Sequence, residues 1–398
     1  MGQTAAYIQS QVLIWARESA GFSVEEAAKK VGVSPDRFRL WERGETYPTI
    51  NQLQRLASTY RRPFAVFYLP TPPKEDLTLH DFRRFPGNNV AFRSPNLLFA
   101  VRQARFRKEI AKELYTAVEG PPSPFPLNFR IRDNPEEVGV AIRNVLLISY
   151  KEQVSWRSTN QAFNRWRSAL EETEILVFQT SGIDLDEMRA FSLSEFPVPV
   201  VVLNIRDTYA GRIFSMLHEV VHIGLQKGGI CDIREDSGQI EADRKIEVFC
   251  NQAAGAALVP RELLLEEDIV IHNRSADDWS DEDIQRLASR YSVSREVLLR
   301  RLLIQRRITK LLYEQKQRQY EMEYRIHVRE RTKEIRIPHY RKVLANTGYA
   351  FARLVLGNYY QERITPSDVS EFLDTRLKHL PKIEQEIFGA GPRSGVSD

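Results

Sequence analysis

His218-Glu219-Val220-Val221-His222 constrains this chain more than any other stretch. Two histidines four residues apart project from one face of a helix, so both imidazoles can reach a single ion. Zinc in a catalytic site takes three protein ligands and keeps one position open for water. The fold must therefore carry a third donor back to this helix. Downstream stand Asp232, Glu235, Asp236, Glu241, Asp243 and Glu247. Helix geometry favours Glu247, because its predicted helix, Ile240 to Leu258, is dense in small residues (Ala253, Ala254, Gly255, Ala256, Ala257). Small residues let it approach the histidine helix, Phe214 to Leu225. Asn251 follows one turn after Glu247 on the same face, as a supporting group. Glu219 is offset by about 100° from His218. That aims it at a water beside the ion, the place for a general acid/base.

Bulk properties narrow the setting. At 398 residues the chain is long for one core and predicts two or three domains. Cys231 and Cys250 alone cannot make a disulfide framework, which fits a reducing compartment. No basic-then-apolar leader opens the chain, and no run approaches the ~18 apolar residues of a membrane span. A soluble cytoplasmic protein is expected, with no membrane partner. The net charge of +4 is too small to require a polyanion. Arg and Lys nonetheless crowd Arg286 to Lys342, and acids crowd Asp232 to Asp243.

Residues 1–73 read as short helices. Ser23 caps Val24–Val31, Gly32 breaks it, and Ser34-Pro35 opens a second helix that Gly44 ends. Two helices around a Gly-containing turn are a helix-turn-helix pattern. Its second helix, Ser34 to Arg43, offers Arg37, Arg39 and Arg43 to guanine edges or phosphates. The module holds nine Lys/Arg against six Asp/Glu, a modest footprint, and Glu25-Glu26 on its first helix would repel a phosphate backbone. DNA binding and docking of a protein partner both remain open readings. Ala27–Ser34 is echoed weakly by Leu287–Ser294, and in more degraded form by Ser367 to Leu380.

The expected fold is α+β and mostly helical. Predicted domains are 1–73, a helical linker 74–130, a metal-binding core 131–275, a helical extension 276–388 with helix-turn-helix-like segments, and a flexible tail 389–398. A basic amphipathic helix runs from about Leu97 to Val118, and Pro135 to Tyr150 is helical. Glu174–Gln179 and Val198–Asn204 are the strand candidates. Pro199 makes the latter an edge strand or marks its first residue. An edge strand before the histidine helix could hold an extended peptide and present one carbonyl to the ion, which points to peptide-bond hydrolysis. His80, His272, His327, His339 and His379 lack partners at ligand spacing, and His272 alone is a candidate oxyanion donor. Cys250 either faces the ion or fills the core.

Taken together, these residues resemble the ImmA/IrrE-type metallopeptidases, in the subgroup carrying an N-terminal XRE-type helix-turn-helix. Trp41–Glu45, Pro48–Leu53 and Arg62–Pro70 are similar to the regulator half. Arg189–Ser192, Val200–Asn204, His218–His222 and Glu247–Ala254 through Val259-Pro260 are similar to the peptidase half. Val293–Leu302 and Gly348 to Leu380 are similar to the subgroup's extension. The resemblance implies a zincin-like core with a small sheet packed on helices, His218, His222 and Glu247 as zinc ligands, and Glu219 as acid/base. It also implies a protein substrate, a partner repressor or antitoxin that is often itself a helix-turn-helix protein, removed in a stress or mobile-element response. The alternative is a helix-turn-helix repressor or toxin–antitoxin component whose metal site is structural or sensory.

Overall fold

The computed structural model describes residues 4–73, 94–118, 125–226, 237–273, 275–330 and 338–389, with the backbone alone for 118, 237–243 and 324–330. Of these, 4–73 with 94–103 form one compact unit, and 104–389 form a second.

The first unit is built from α1 (Ser10–Ser19), α2 (Val24–Val31), α3 (Pro35–Glu42), α4 (Ile50–Tyr60) and the start of α5 (Pro95–Val118). Caps set its boundaries. The Ser23 hydroxyl accepts from Glu26 N at 3.1 Å while Glu26 Oε2 accepts from Ser23 N at 2.9 Å, a reciprocal capping box. Gly32 then turns the chain in the left-handed region at φ +73°, where a glycine pays no Cβ penalty. Ser34 caps α3 by accepting from Arg37 N. Leu13, Ala16, Ala27, Phe38, Leu53 and Leu56 are fully buried and close a small helical core.

In the second unit, α6 (Pro135–Val145), α7 (Tyr150–Gln153) and α8 (Thr159–Glu171) lead into a three-stranded sheet of β1 (Leu176–Thr180), β2 (Ala190–Leu193) and β3 (Val200–Asn204). After it come α9 (Tyr209–Gly224), α10 (Ser237–Leu258), α11 (Arg261–Leu265), α12 (Asp268–His272), α13 (Asp281–Tyr291), α14 (Arg295–Ile304) and α15 (Lys310–Glu330). The rest is α16 (His339–Thr347), α17 (Tyr349–Tyr360), α18 (Pro366–Phe372) and α19 (Leu380–Phe388). The architecture is thus α+β and mostly helical. Among the described residues no helix is long and apolar enough to cross a membrane.

The strand order is β1-β3-β2, with β3 parallel to β1 and antiparallel to β2. This corrects the edge assignment of Val198–Asn204: the strand is central, and all five of its residues are buried. Pro199 precedes the first paired residue and offers only its carbonyl, to Leu176 N at 3.0 Å, so its missing N–H costs the ladder nothing. The outer side of β1 is covered as well. Val177 O accepts from Arg167 Nη2 at 2.6 Å, and Gln179 Nε2 donates to Ala345 O on α16 at 3.0 Å.

The weak sequence echo has a structural counterpart. Ser292 takes the left-handed conformation of Gly32 at φ +57°, and Val293 N bonds Ala288 O at 2.9 Å as Val33 N bonds Ala28 O at 3.0 Å. Ser294 caps α14 as Ser34 caps α3. In the degraded copy Asp374 makes the turn at φ +49°, but Arg376 stands where the cap should be and only a 3-10 turn, Leu377–His379, follows before α19. The same turn closes other helices, among them α4, where Arg61 is left-handed and Arg62 N bonds Ala57 O at 2.9 Å, so by itself it does not mark a repeat.

Candidate functional site

Helix α9 starts at Thr208, whose hydroxyl accepts from Gly211 N at 3.0 Å. From Arg212 to Gly224 every residue of it is buried. Apolar side chains on all sides (Ile213, Met216, Leu217, Val220, Val221, Ile223) explain why it runs through the core. Placing His218, Glu219 and His222 there, at 1–3 % exposure, is costly unless each is paired. Three polar side chains in such a helix therefore mark a site.

The third donor arrives on α10. Its small residues meet α6 as well as the histidine helix. A Cβ on Gly139 of α6 would lie 2.6 Å from Ala257 N, so the two backbones are in direct contact there. This packing brings Glu247 over α9. Glu247 Oε2 lies 3.3 Å from His218 Nε2, Glu247 Oε1 lies 3.2 Å from His222 Nε2, and the two Nε2 atoms are 3.0 Å apart. Burial pushes the Glu247 carboxyl upward, but hydrogen bonding from both imidazoles outweighs it and holds the group well below the ordinary carboxylate range.

These three residues could hold a metal ion. Tetrahedral zinc with bonds near 2.0–2.1 Å separates neighbouring donor atoms by roughly 3.3 Å. The observed 3.0–3.3 Å spacing of two imidazole nitrogens and a carboxylate fits such an ion without rearrangement. Asp232, Glu235, Asp236 and Cys231 lie outside the described residues, as do the side chains of Glu241 and Asp243, His80, the side chain of His327 and the tail beyond residue 389.

Glu219, next to His218 on α9, is held from β2, where the Ser192 hydroxyl donates to its Oε2 at 2.7 Å. This partner comes from a strand that sequence reasoning did not find. Four residues, Ala-Phe-Ser-Leu, carry no alternation because all four are buried. Within the described residues no further strand pairs with β2, so β2 and not β3 is an outer strand of the sheet. Cys250 is fully buried against His222, and its thiol is pushed up by burial. Asn251 follows on α10 with its Oδ1 buried and unbonded among the described residues. His272 sits exposed at the end of α12, its Nδ1 2.7 Å from Asp268 O of the same helix.

The arginines of α3 differ from one another. Arg39 is paired with Glu25 of α2 at 2.5 Å and with Asp36 at 3.0 Å, and Arg43 with Glu45 at 3.4 Å. Arg37 is exposed and makes no ion pair among the described residues. The acids noted on the first helix are thus accounted for locally. Glu26 caps α2, and Glu25 neutralises Arg39.

Comparison with known proteins agrees with this geometry. Residues 171–303, which span the sheet, α9, α10, α13 and most of α14, match the family described as the IrrE N-terminal-like domain, a peptidase family. Residues 13–67 match the helix-turn-helix family. No curated protein matched the chain. Over these two stretches the chain is therefore similar to a helix-turn-helix module of the DNA-binding type and to a metallopeptidase-type domain, the IrrE N-terminal-like one.

Proposed function

We propose that this protein is a zinc-dependent endopeptidase fused to a DNA-binding regulator, and that it cleaves a partner repressor or antitoxin, itself a helix-turn-helix protein, in a stress or mobile-element response. The observation that carries the reading is the convergence of His218, His222 and Glu247 beside a buried, hydrogen-bonded Glu219. His218, His222 and Glu247 would hold the zinc. When bound, zinc polarises the scissile carbonyl and acidifies water. Glu219 accepts the proton of the attacking water and returns it to the leaving amine nitrogen as the C–N bond breaks. The apolar packing of α9 keeps this carboxylate away from bulk water, so its proton passes between the reacting atoms.

The N-terminal module supports the choice of partner and of compartment. Arg37, Arg39 and Arg43 are the proposed DNA contacts, with Arg37 available as it stands and Arg39 and Arg43 giving up their present ion pairs. A protein acting on a DNA-bound regulator works in the cytoplasm.

The test pairs metal content with cleavage. Zinc-loaded full-length protein is incubated with helix-turn-helix proteins encoded beside its gene, and fragments are sought with and without a chelator. The Glu219→Gln variant is expected to keep one zinc and lose cleavage, and His222→Ala to lose both. Cleavage undiminished in Glu219→Gln removes Glu219 from the mechanism, and zinc content unchanged in His222→Ala removes the ligand set.

A further inference from the structure

We propose that Ser192 is the positioning residue for Glu219: its hydroxyl pins one carboxylate oxygen, so that Glu219 meets the reacting water in a single orientation. The proposal rests on the peptidase reading of the site. Ser192 is 1 % exposed, in a strand whose other residues are Ala190, Phe191 and Leu193. A buried hydroxyl there is unfavourable unless bonded. Its partner is Glu219 Oε2 at 2.7 Å, a well-formed hydroxyl-to-carboxyl hydrogen bond.

The need for such a tether follows from the side chain. The last torsion of a glutamate is broad and nearly two-fold, so packing around its stem does not fix where its oxygens point. A hydrogen bond from a neighbouring strand does. Ser192 is aligned with Val201 of the central strand, so the hydroxyl is carried by the sheet backbone and not by a loop. Nor would any nearby hydroxyl serve. Ser215 lies one turn before Glu219 on α9 and is equally buried, yet its Oγ has no hydrogen-bond partner among the described residues. Ser192 keeps its proton throughout. It fixes the geometry of the group that moves one.

Three measurements on the full-length chain test this. In the metal-stripped protein, Ser192→Ala is expected to lower Tm by roughly 3–6 °C, and to have little effect in a Glu219→Leu background. Equal effects in both backgrounds overturn the tether. Zinc content should be unchanged in Ser192→Ala, and loss of the metal would assign Ser192 a merely structural role. With fluorescein-labelled casein as the probe, kcat of the zinc-loaded Ser192→Ala variant should fall ~10–100-fold with KM within about two-fold. Ser192→Thr should restore most of it, and Ser215→Ala should match the parent. A change confined to KM, or a threonine no better than alanine, overturns the positioning role. If the zinc-loaded parent leaves casein intact, the peptidase reading loses support, whereas the tether is still decided by the Tm comparison.

Discussion

Substituting Gly139 by alanine tests whether the site depends on how closely α6 and α10 approach. The added Cβ would lie 2.6 Å from Ala257 N and 2.7 Å from Ala256 C, atoms of the backbone that no rotamer change can move aside. Comfortable carbon contacts begin near 3.5 Å, so the helices must part by about 1 Å. Overpacking of this kind costs about 1–3 kcal/mol, and against backbone the upper end applies. Alanine's better helix propensity returns about 1 kcal/mol, leaving a net loss of about 2 kcal/mol. The same movement strains the bond from Arg143 Nη1 to Ala257 O, now 2.9 Å. Because α10 carries Glu247, its displacement widens the 3.2–3.3 Å donor spacing and should weaken zinc binding by ~10-fold or more. Urea unfolding and a competitive zinc titration measure the two effects. The control is Gly357→Ala on α17, where nothing lies within 4 Å of the new Cβ, and a gain of about 0.5–1 kcal/mol is expected. Stability and zinc affinity in Gly139→Ala equal to the parent's would refute the close-approach argument.

Two further outcomes follow from the electrostatics. Arg37→Ala should weaken binding of duplex DNA about equally across sequences if it meets phosphate, and lower the slope of log K against log salt by about 1; an unchanged slope would exclude a phosphate contact. Asp281 is held at about 2, below its ordinary 3.8, by hydrogen bonds from Lys316 and Tyr320 of α15. A depressed carboxyl contributes stability that is present above about pH 4 and lost as pH falls toward 2. Since Asp281 is substantially exposed, the effect is small. Thermal unfolding of Asp281→Asn should therefore show a shallower decline between pH 4 and 2 than the parent, and parallel curves would contradict this.

How much of this was legible in the chain varies with the kind of signal. The histidine helix and its partner could be read because spacing on a helix is periodic and small residues announce close packing. Glu247 was preferred on that ground, and the structure brings it to both imidazoles. The strand at Val200–Asn204 was recognised but misplaced, because Pro199 suggested an edge and sequence does not say on which side of a strand its neighbours lie. Strand β2 left no pattern, since four consecutively buried residues have neither alternation nor length. The link between Ser192 and Glu219 spans 27 residues and is made by folding alone. Arg39 was offered as a DNA contact alongside Arg37 and Arg43, and its pairing with Glu25 depends on the angle at which α2 meets α3.

The burial of the site has an electrostatic consequence. His218, Glu219 and His222 are all but sealed, and of the proposed metal ligands only Glu247 keeps appreciable exposure, 29 % of its side chain. All four residues of β2, which holds Glu219, are buried as well. Charges this deep are screened little by salt, so the proposed hold of His218, His222 and Glu247 on a cation should respond weakly to ionic strength, unlike contacts made by the exposed Arg37.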